Sequence, residues 1–338
     1  MSVAVVGLGL VTPFADTPTE HVFFLRAGVP APPPSPFRLR TDGSPLYVSY
    51  CRWLGAAAPI EQRLTQLGTD ALREALRPIG SKGPKAERRV MLCLPTERPG
   101  VAGDTLDAVA SSVAAMHGEV QRFSDDAGAF RALRAAQAAL QSGEASLVLV
   151  AATDSFVALQ ALDERVVHPP SPWGLDPPAP SEGAAAVALM QPHEARRLDV
   201  PILGHLVAAA TARGASNDDN DLPVDGAAMS VVLRDLATSV PAWSAFGPFR
   251  VDLLRHDDWQ LASARLTTRF APRSTFACLE SQVGRLGAAS GLANLVYGLA
   301  SHRHRAAPAL EASAAPFYAW AISPDGARGA ALLSVREP

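Results

Sequence analysis

The sequence predicts an α/β protein whose sheets are mainly parallel and buried. Short apolar runs of strand length alternate with helical stretches along the chain. The runs read as strands covered on both faces, the usual setting of parallel sheets. Several helical stretches are rich in alanine, which suits helices lying between sheets. With 338 residues, 48% of them apolar, the chain can bury a large core and build two domains or two fused half-domains.

In chain order, Val3–Val6 reads as the first strand and Pro18–Arg26 as the first helix. A helix over Ile60–Leu76, a strand over Val90–Leu94, and helices over Asp104–Met116 and Gly128–Gln141 follow. Strands over Leu147–Ala151 and Ala184–Met190 complete this portion. A turn near Gln191–Asp199 then divides the chain into expected halves, 1–195 and 196–338. The second half has strands over Ile202–Ala209, Val251–Leu254, Phe317–Ile322 and Ala330–Val335. Its helices are expected over Ala227–Thr238, Gln260–Phe270 and Ala289–His302. Pro32–Pro36 and Pro169–Pro180, the latter with Trp173, read as stiff loops. Asn217–Asp221 is acidic but lacks the glycine and distal glutamate of a calcium loop, so it reads as a solvated turn.

The formal net charge is −3, with no long run of either sign, where a nucleic-acid binder would concentrate basic charge on one face. Lys82 and Lys85 are the only lysines, and both read as solvated. Cys51, Cys93 and Cys278 fit no zinc spacing and no CxxC, and are expected to be buried structural thiols. No metal or other cofactor is expected. No stretch of about 18 apolar residues suggests a membrane span. Ser2–Val6 carries no charged leader region, which argues for a cytoplasmic protein.

Six segments, in order, resemble the β-ketoacyl synthases of the thiolase superfamily. Val5-Val6-Gly7-Leu8-Gly9-Leu10-Val11-Thr12-Pro13 is similar to the family's opening "VVITGLGVVTPLG". Ala136–Ala145 with Leu147–Asp154 resembles "AxxALRSGEADxALAGGTDS", and Pro180–Leu189 resembles "PGEGAAALVL". Asp225–Met229 is similar to "PDGxAM". Gly284-Arg285-Leu286-Gly287-Ala288-Ala289-Ser290-Gly291 lines up without a gap on "GHxxGAAG". The last loop, from Ser323 to Leu332, corresponds to the family's glycine-rich ending. The resemblance spans nearly the whole chain. It implies a thiolase-like fold: two similar α/β halves in a five-layer αβαβα arrangement. Gly7 and Gly9 alone would also fit a degraded dinucleotide loop, but Thr12-Pro13 suits a synthase better.

What the resemblance implies for chemistry is loss. A ketosynthase takes the acyl group on a cysteine thiolate at a helix start. Counting back from Ser142 puts that position at Asp126, and the surrounding Phe123–Gly128 holds no cysteine. Asp125 or Asp126 reads as a helix N-cap, with an acyl-accepting carboxylate as the alternative. Ser124 is the nearby hydroxyl. The first family histidine falls at Asp257, with His256 one place away and no Gly-Thr-Gly-Thr turn following. The second falls at Arg285, the lysine at Glu280 and the phenylalanine gate near Asp325. The short Leu94–Ser124 connection puts the acyl tunnel and the usual homodimer in doubt.

The leading expectation is therefore a catalytically inactive ketosynthase-like protein that binds or positions another protein. The partner would be a ketosynthase, a carrier protein, or a type VI secretion effector or adaptor; a chain-length factor is one precedent. The alternative is an acyltransferase or hydrolase acting on acyl thioesters through Ser124, Asp126, His256 and Asp257 without a cysteine.

Overall fold

In a computed structural model the protein is described over residues 2–28, 37, 48–82, 88–157, 178–214, 216, 224–236, 240–248, 253–304 and 316–336. Pro32–Pro36, the Trp173 loop up to residue 177, Asn217–Asp221 and Lys85 lie outside the described residues. Lys82 is exposed and pairs with Asp199 at 2.9 Å.

The first five strands are β1 (Val3–Val11), β2 (Arg88–Leu94), β3 (Val120–Ser124), β4 (Leu147–Ser155) and β5 (Glu182–Met190). The second five are β6 (Gly204–Arg213), β7 (Ala242–Phe246), β8 (Phe270–Ala277), β9 (Phe317–Ile322) and β10 (Ala327–Ser334). All ten join in one sheet, ordered β3-β2-β4-β5-β1-β6-β10-β9-β7-β8. Counted within its own set of five and read from its outer edge inward, each side has the same order, 3-2-4-5-1. The directions match too: the second strand runs parallel to the third and fourth, and the fifth runs antiparallel to the fourth and first. The sides meet where Val3, Ala4 and Val5 pair antiparallel with Leu206, His205 and Gly204. The result is two similar α/β halves about an approximate twofold.

The expectation of a mainly parallel sheet is corrected: five of the nine pairings are antiparallel. β5 and β10 are apolar and covered on both faces, so their composition resembles that of parallel strands.

Helices complete five layers. Outside the first half lie α2 (Ile60–Leu76) and α3 (Gly103–His117), packed on β1, β2, β4 and β5 in one apolar cluster. The central layer holds α4 (Gly128–Ser142) and, as α9, Ser290–Arg303, whose cluster draws on both halves of the sheet. Outside the second half lie α6 (Ala227–Asp235) and α7 (Leu253–Arg265), packed on Tyr318, Trp320 and Leu332. The shorter helices are α1 (Pro18–Arg26), α5 (Pro192–Arg197) and α8 (Glu280–Val283). α1 starts as its sequence suggests: the Thr17 hydroxyl accepts from Glu20 N–H at 3.2 Å, with Pro18 in the first turn.

Gly7 and Gly9 lie inside β1, not in a turn. A Cβ at either would overlap the carbonyl oxygen of Ala75 or Ala71 in α2. The pair exists to seat a helix on a strand, and the dinucleotide-loop alternative falls away.

The strand expected over Val251–Leu254 is also corrected. Leu253 and Leu254 open α7, and residues 251–252 lie outside the described residues. The helix expected over Gln260–Phe270 starts earlier and ends at Arg265, and Phe270 begins β8. β3, β7 and β8 were not expected: β3 reads Val-Gln-Arg-Phe-Ser, β7 is only Ala-Trp-Ser-Ala-Phe, and β3 and β8 are sheet edges with exposed side chains.

Candidate functional site

The segment expected to replace the nucleophile is the turn from β3 into α4. Asp125 is buried with φ +70°, a left-handed conformation unusual for a side chain other than glycine. Its carboxylate accepts from Ala127 N–H at 2.8 Å and from Arg131 Nη2 at 2.5 Å. Burial nonetheless pushes the Asp125 carboxyl above its ordinary range, against the opposing pull of Arg131. Asp125 thus satisfies a first-turn amide, although the cap residue itself is Ala127. Ser124 is exposed at the end of β3, and its carbonyl accepts from Arg131 at 2.6 Å.

Asp126 faces the second half of the fold. Its Oδ2 lies 2.6 Å from Nη2 of Arg255, a buried residue of α7. Glu280, expected from the resemblance at the family's lysine position, opens α8 and is buried. It accepts from Leu286 N–H at 2.9 Å and from the Ser290 hydroxyl at 2.6 Å. Burial raises its carboxyl, while these hydrogen bonds and the Arg255 charge act the other way, and Asp126 is close enough to add a repulsive contribution. Asp126, Arg255 and Glu280 therefore form one charged cluster across the two halves.

A second cluster adjoins it. Arg98 pairs with Asp154 and donates to the Ser155 carbonyl at 2.8 Å. Asp154 Oδ2 also accepts from Ala288 N–H at 2.9 Å, tying β4 to the turn before α9. Gly287 in that turn has φ +52°, and a Cβ there would collide with the Asp154 carboxylate. Arg285, expected from the resemblance at the second histidine position, sits with its guanidinium 4.8 Å from the Phe156 ring centre, and Arg98 is 4.2 Å from the same ring.

The remaining candidates separate. Asp257 is exposed on α7. The buried acid is its neighbour Asp258, paired with Arg328 at 2.7 Å. His256 is half-buried and lines a cleft of 420 Å³ with Trp259, Gln260, Phe276 and Cys278. Asp325 lies in the β9–β10 turn, accepts from Ala327 N–H at 3.2 Å and pairs with Arg213 at 3.5 Å. Cys51 and Cys93 are buried as expected, and burial pushes both thiols well above their ordinary value. Cys278 departs from the expectation: it is only half-buried.

Sequence reading missed Arg255, Arg98 and Arg131, the three cations that neutralise these carboxylates. The available signal was arginine next to positions where an uncharged or basic catalytic group is expected. Among the described residues no group of three or more His, Cys, Asp or Glu is placed to hold a metal.

The architecture is a thiolase-like fold. More narrowly, the fold is that of the β-ketoacyl synthases. The chain superposes on a chain of the AntDE:AntF assembly, a type II PKS acyl-carrier protein in complex with its ketosynthase, with TM-score 0.78, 14% identity and 99% of each chain covered. It matches the module 6 ketosynthase of the bacillaene synthase from Bacillus subtilis 168 with TM-score 0.77 and 12% identity, covering 100% of this chain and 73% of that one. The ishigamide ketosynthase/chain length factor gives TM-score 0.73 and 18% identity over 99% of each chain. At these identities the likeness is one of fold. No family profile and no curated protein matches the chain.

Proposed function

We propose that the protein is a ketosynthase-fold protein without ketosynthase chemistry, and that it acts by binding or positioning a protein partner. The observation that carries this reading is the Asp126–Arg255 ion pair beside Glu280. A carboxylate paired with an arginine is a far weaker nucleophile toward a thioester than a thiolate. The acyltransferase or hydrolase reading is the less favoured one: Ser124 and Asp257 are exposed on different elements, and Asp126 is paired with Arg255.

Fold neighbours include a ketosynthase with its acyl-carrier protein and a ketosynthase/chain length factor. By analogy the partner is a ketosynthase, a carrier protein, or a type VI secretion effector or adaptor, met in the cytoplasm. Among the described residues no helix is long and apolar enough to cross a membrane. The two halves are assigned to residues 1–195 and 196–338. The test is intact-protein mass spectrometry after incubation with acyl-CoA and acyl-carrier-protein thioesters, beside affinity capture with the three partner classes. We expect no acyl adduct on residues 124–126 and recovery of one partner class. An adduct there, or capture of none, overturns the proposal.

A further inference from the structure

A pocket of 220 Å³ lies where the first turn of α1, the end of α2, β1 and the end of α9 meet. Its floor is apolar: Leu8 of β1 and Ala300 of α9 are buried, and Leu203 stands just before β6. Its rim is charged. Arg77, at the end of α2, pairs with Glu74 at 2.8 Å. Arg303, the last residue of α9, donates to the Leu203 carbonyl at 3.1 Å and among the described residues pairs with no carboxylate. Arg303 keeps contact with solvent, yet the protein packed around its guanidinium pulls its pKa below the ordinary value, and no acid acts the other way. His304 follows, with Nε2 3.3 Å from the Thr19 hydroxyl and its ring centre 5.4 Å from that of Phe23. Two guanidiniums against one carboxylate leave a single positive charge without a counter-ion at the rim.

We propose that this pocket binds a short-chain monocarboxylate, with the carboxylate on Arg303 and the alkyl tail on Leu8, Leu203 and Ala300. The guanidinium fork matches a carboxylate in two parallel hydrogen bonds. One uncompensated charge suits a monoanion; a phosphate dianion would bring excess negative charge beside Glu74. At about 30 Å³ for each water-sized group, the 220 Å³ holds roughly seven heavy atoms, the size of pentanoate. The floor rewards the tail: each methylene buried there strengthens binding about fourfold. The site is independent of the partner-binding reading, since it uses none of Asp126, Arg255 or Glu280.

The experiment titrates the whole protein with sodium pentanoate and follows leucine-methyl NMR signals, those of Leu8 and Leu203 being assigned through Leu8→Met and Leu203→Met. Both signals should shift and saturate with a dissociation constant on the order of 1 mM, as expected of so small a ligand. Arg303→Gln should weaken binding about tenfold or more, because it removes a charged hydrogen-bond donor. Arg26→Gln, which changes an exposed arginine of α1 outside the pocket, should leave it unchanged. Acetate, three methylenes shorter, should bind at least about tenfold more weakly. Inorganic phosphate and pentylamine should not displace pentanoate. Undiminished binding by folded Arg303→Gln, shifts confined to other leucines, equal affinity for acetate, displacement by phosphate or pentylamine, or the lack of any saturable shift overturns the proposal.

Discussion

At the residue scale, the site is decided by arginines. Removing one partner of a buried ion pair strands the other charge, which costs about 3–5 kcal/mol. Asp126→Ala, which strands the buried Arg255, is therefore expected to lose about that much stability in urea unfolding, and Arg255→Ala somewhat less, because the Asp126 it strands is partly exposed. The double variant should recover part of the loss; strict additivity would mean the pair is not coupled. Two core histidines set a pH response. Burial holds His21 and His302 down to about 4, with His21 bonded to the Thr12 hydroxyl and His302 to the Ser244 hydroxyl, each at 2.8 Å. Their folded values lie below the unfolded value of about 6.5, so their contribution is complete above pH 6.5 and is lost as pH falls toward 4. The loss is about 3 kcal/mol each, and His302→Asn should flatten that part of a stability-versus-pH curve. Glu280, Asp125 and Asp258 run the other way: their carboxyls are raised, so the stability they add is complete below about pH 4 and is lost as pH rises through their raised folded values. Asp126 and Glu280 were singled out by counting along the motifs that carry the resemblance. Arg255 was not, because the segment before it reads as a strand in sequence and continues as a helix.

At the element scale, legibility followed burial. α2 and α9 were readable from periodicity and alanine content, with ends placed within a residue or so. β3 and β8 were not, because an edge strand with polar side chains has no apolar run to announce it. β1 was read too short: Gly7 and Gly9 look like a turn, yet they are strand residues on which α2 rests. Gly7→Ala is expected to destabilise by about 3 kcal/mol or more, since the clash is with backbone rather than with a side chain that can turn away. A soluble variant with an unchanged urea midpoint would refute that packing role.

At the scale of the whole molecule, the repeated strand order was implied by the resemblance and by the turn at Gln191–Asp199, but strand direction was not legible. The central helices α4 and α9 are shared: Leu133, Leu206, Leu292 and Phe317 belong to one core drawn from both sides of the seam. Fragments 1–195 and 196–338 made separately are expected to lack cooperative unfolding, with circular dichroism and urea titration as the readout. A two-state transition in either fragment would show an autonomous half.

The position of β1 also sets a schedule for biosynthesis. This strand hydrogen-bonds on one side to residues of Glu182–Met190 and on the other to Gly204–Leu206, so neither neighbour exists until synthesis has reached Glu182. At a translation rate of roughly 5–20 residues per second, the wait is on the order of 10–40 seconds. During that interval a glycine-punctuated, wholly apolar strand must be kept from pairing with its counterpart on a neighbouring nascent chain, which places this protein among those whose yield responds to chaperone supply and to translation speed.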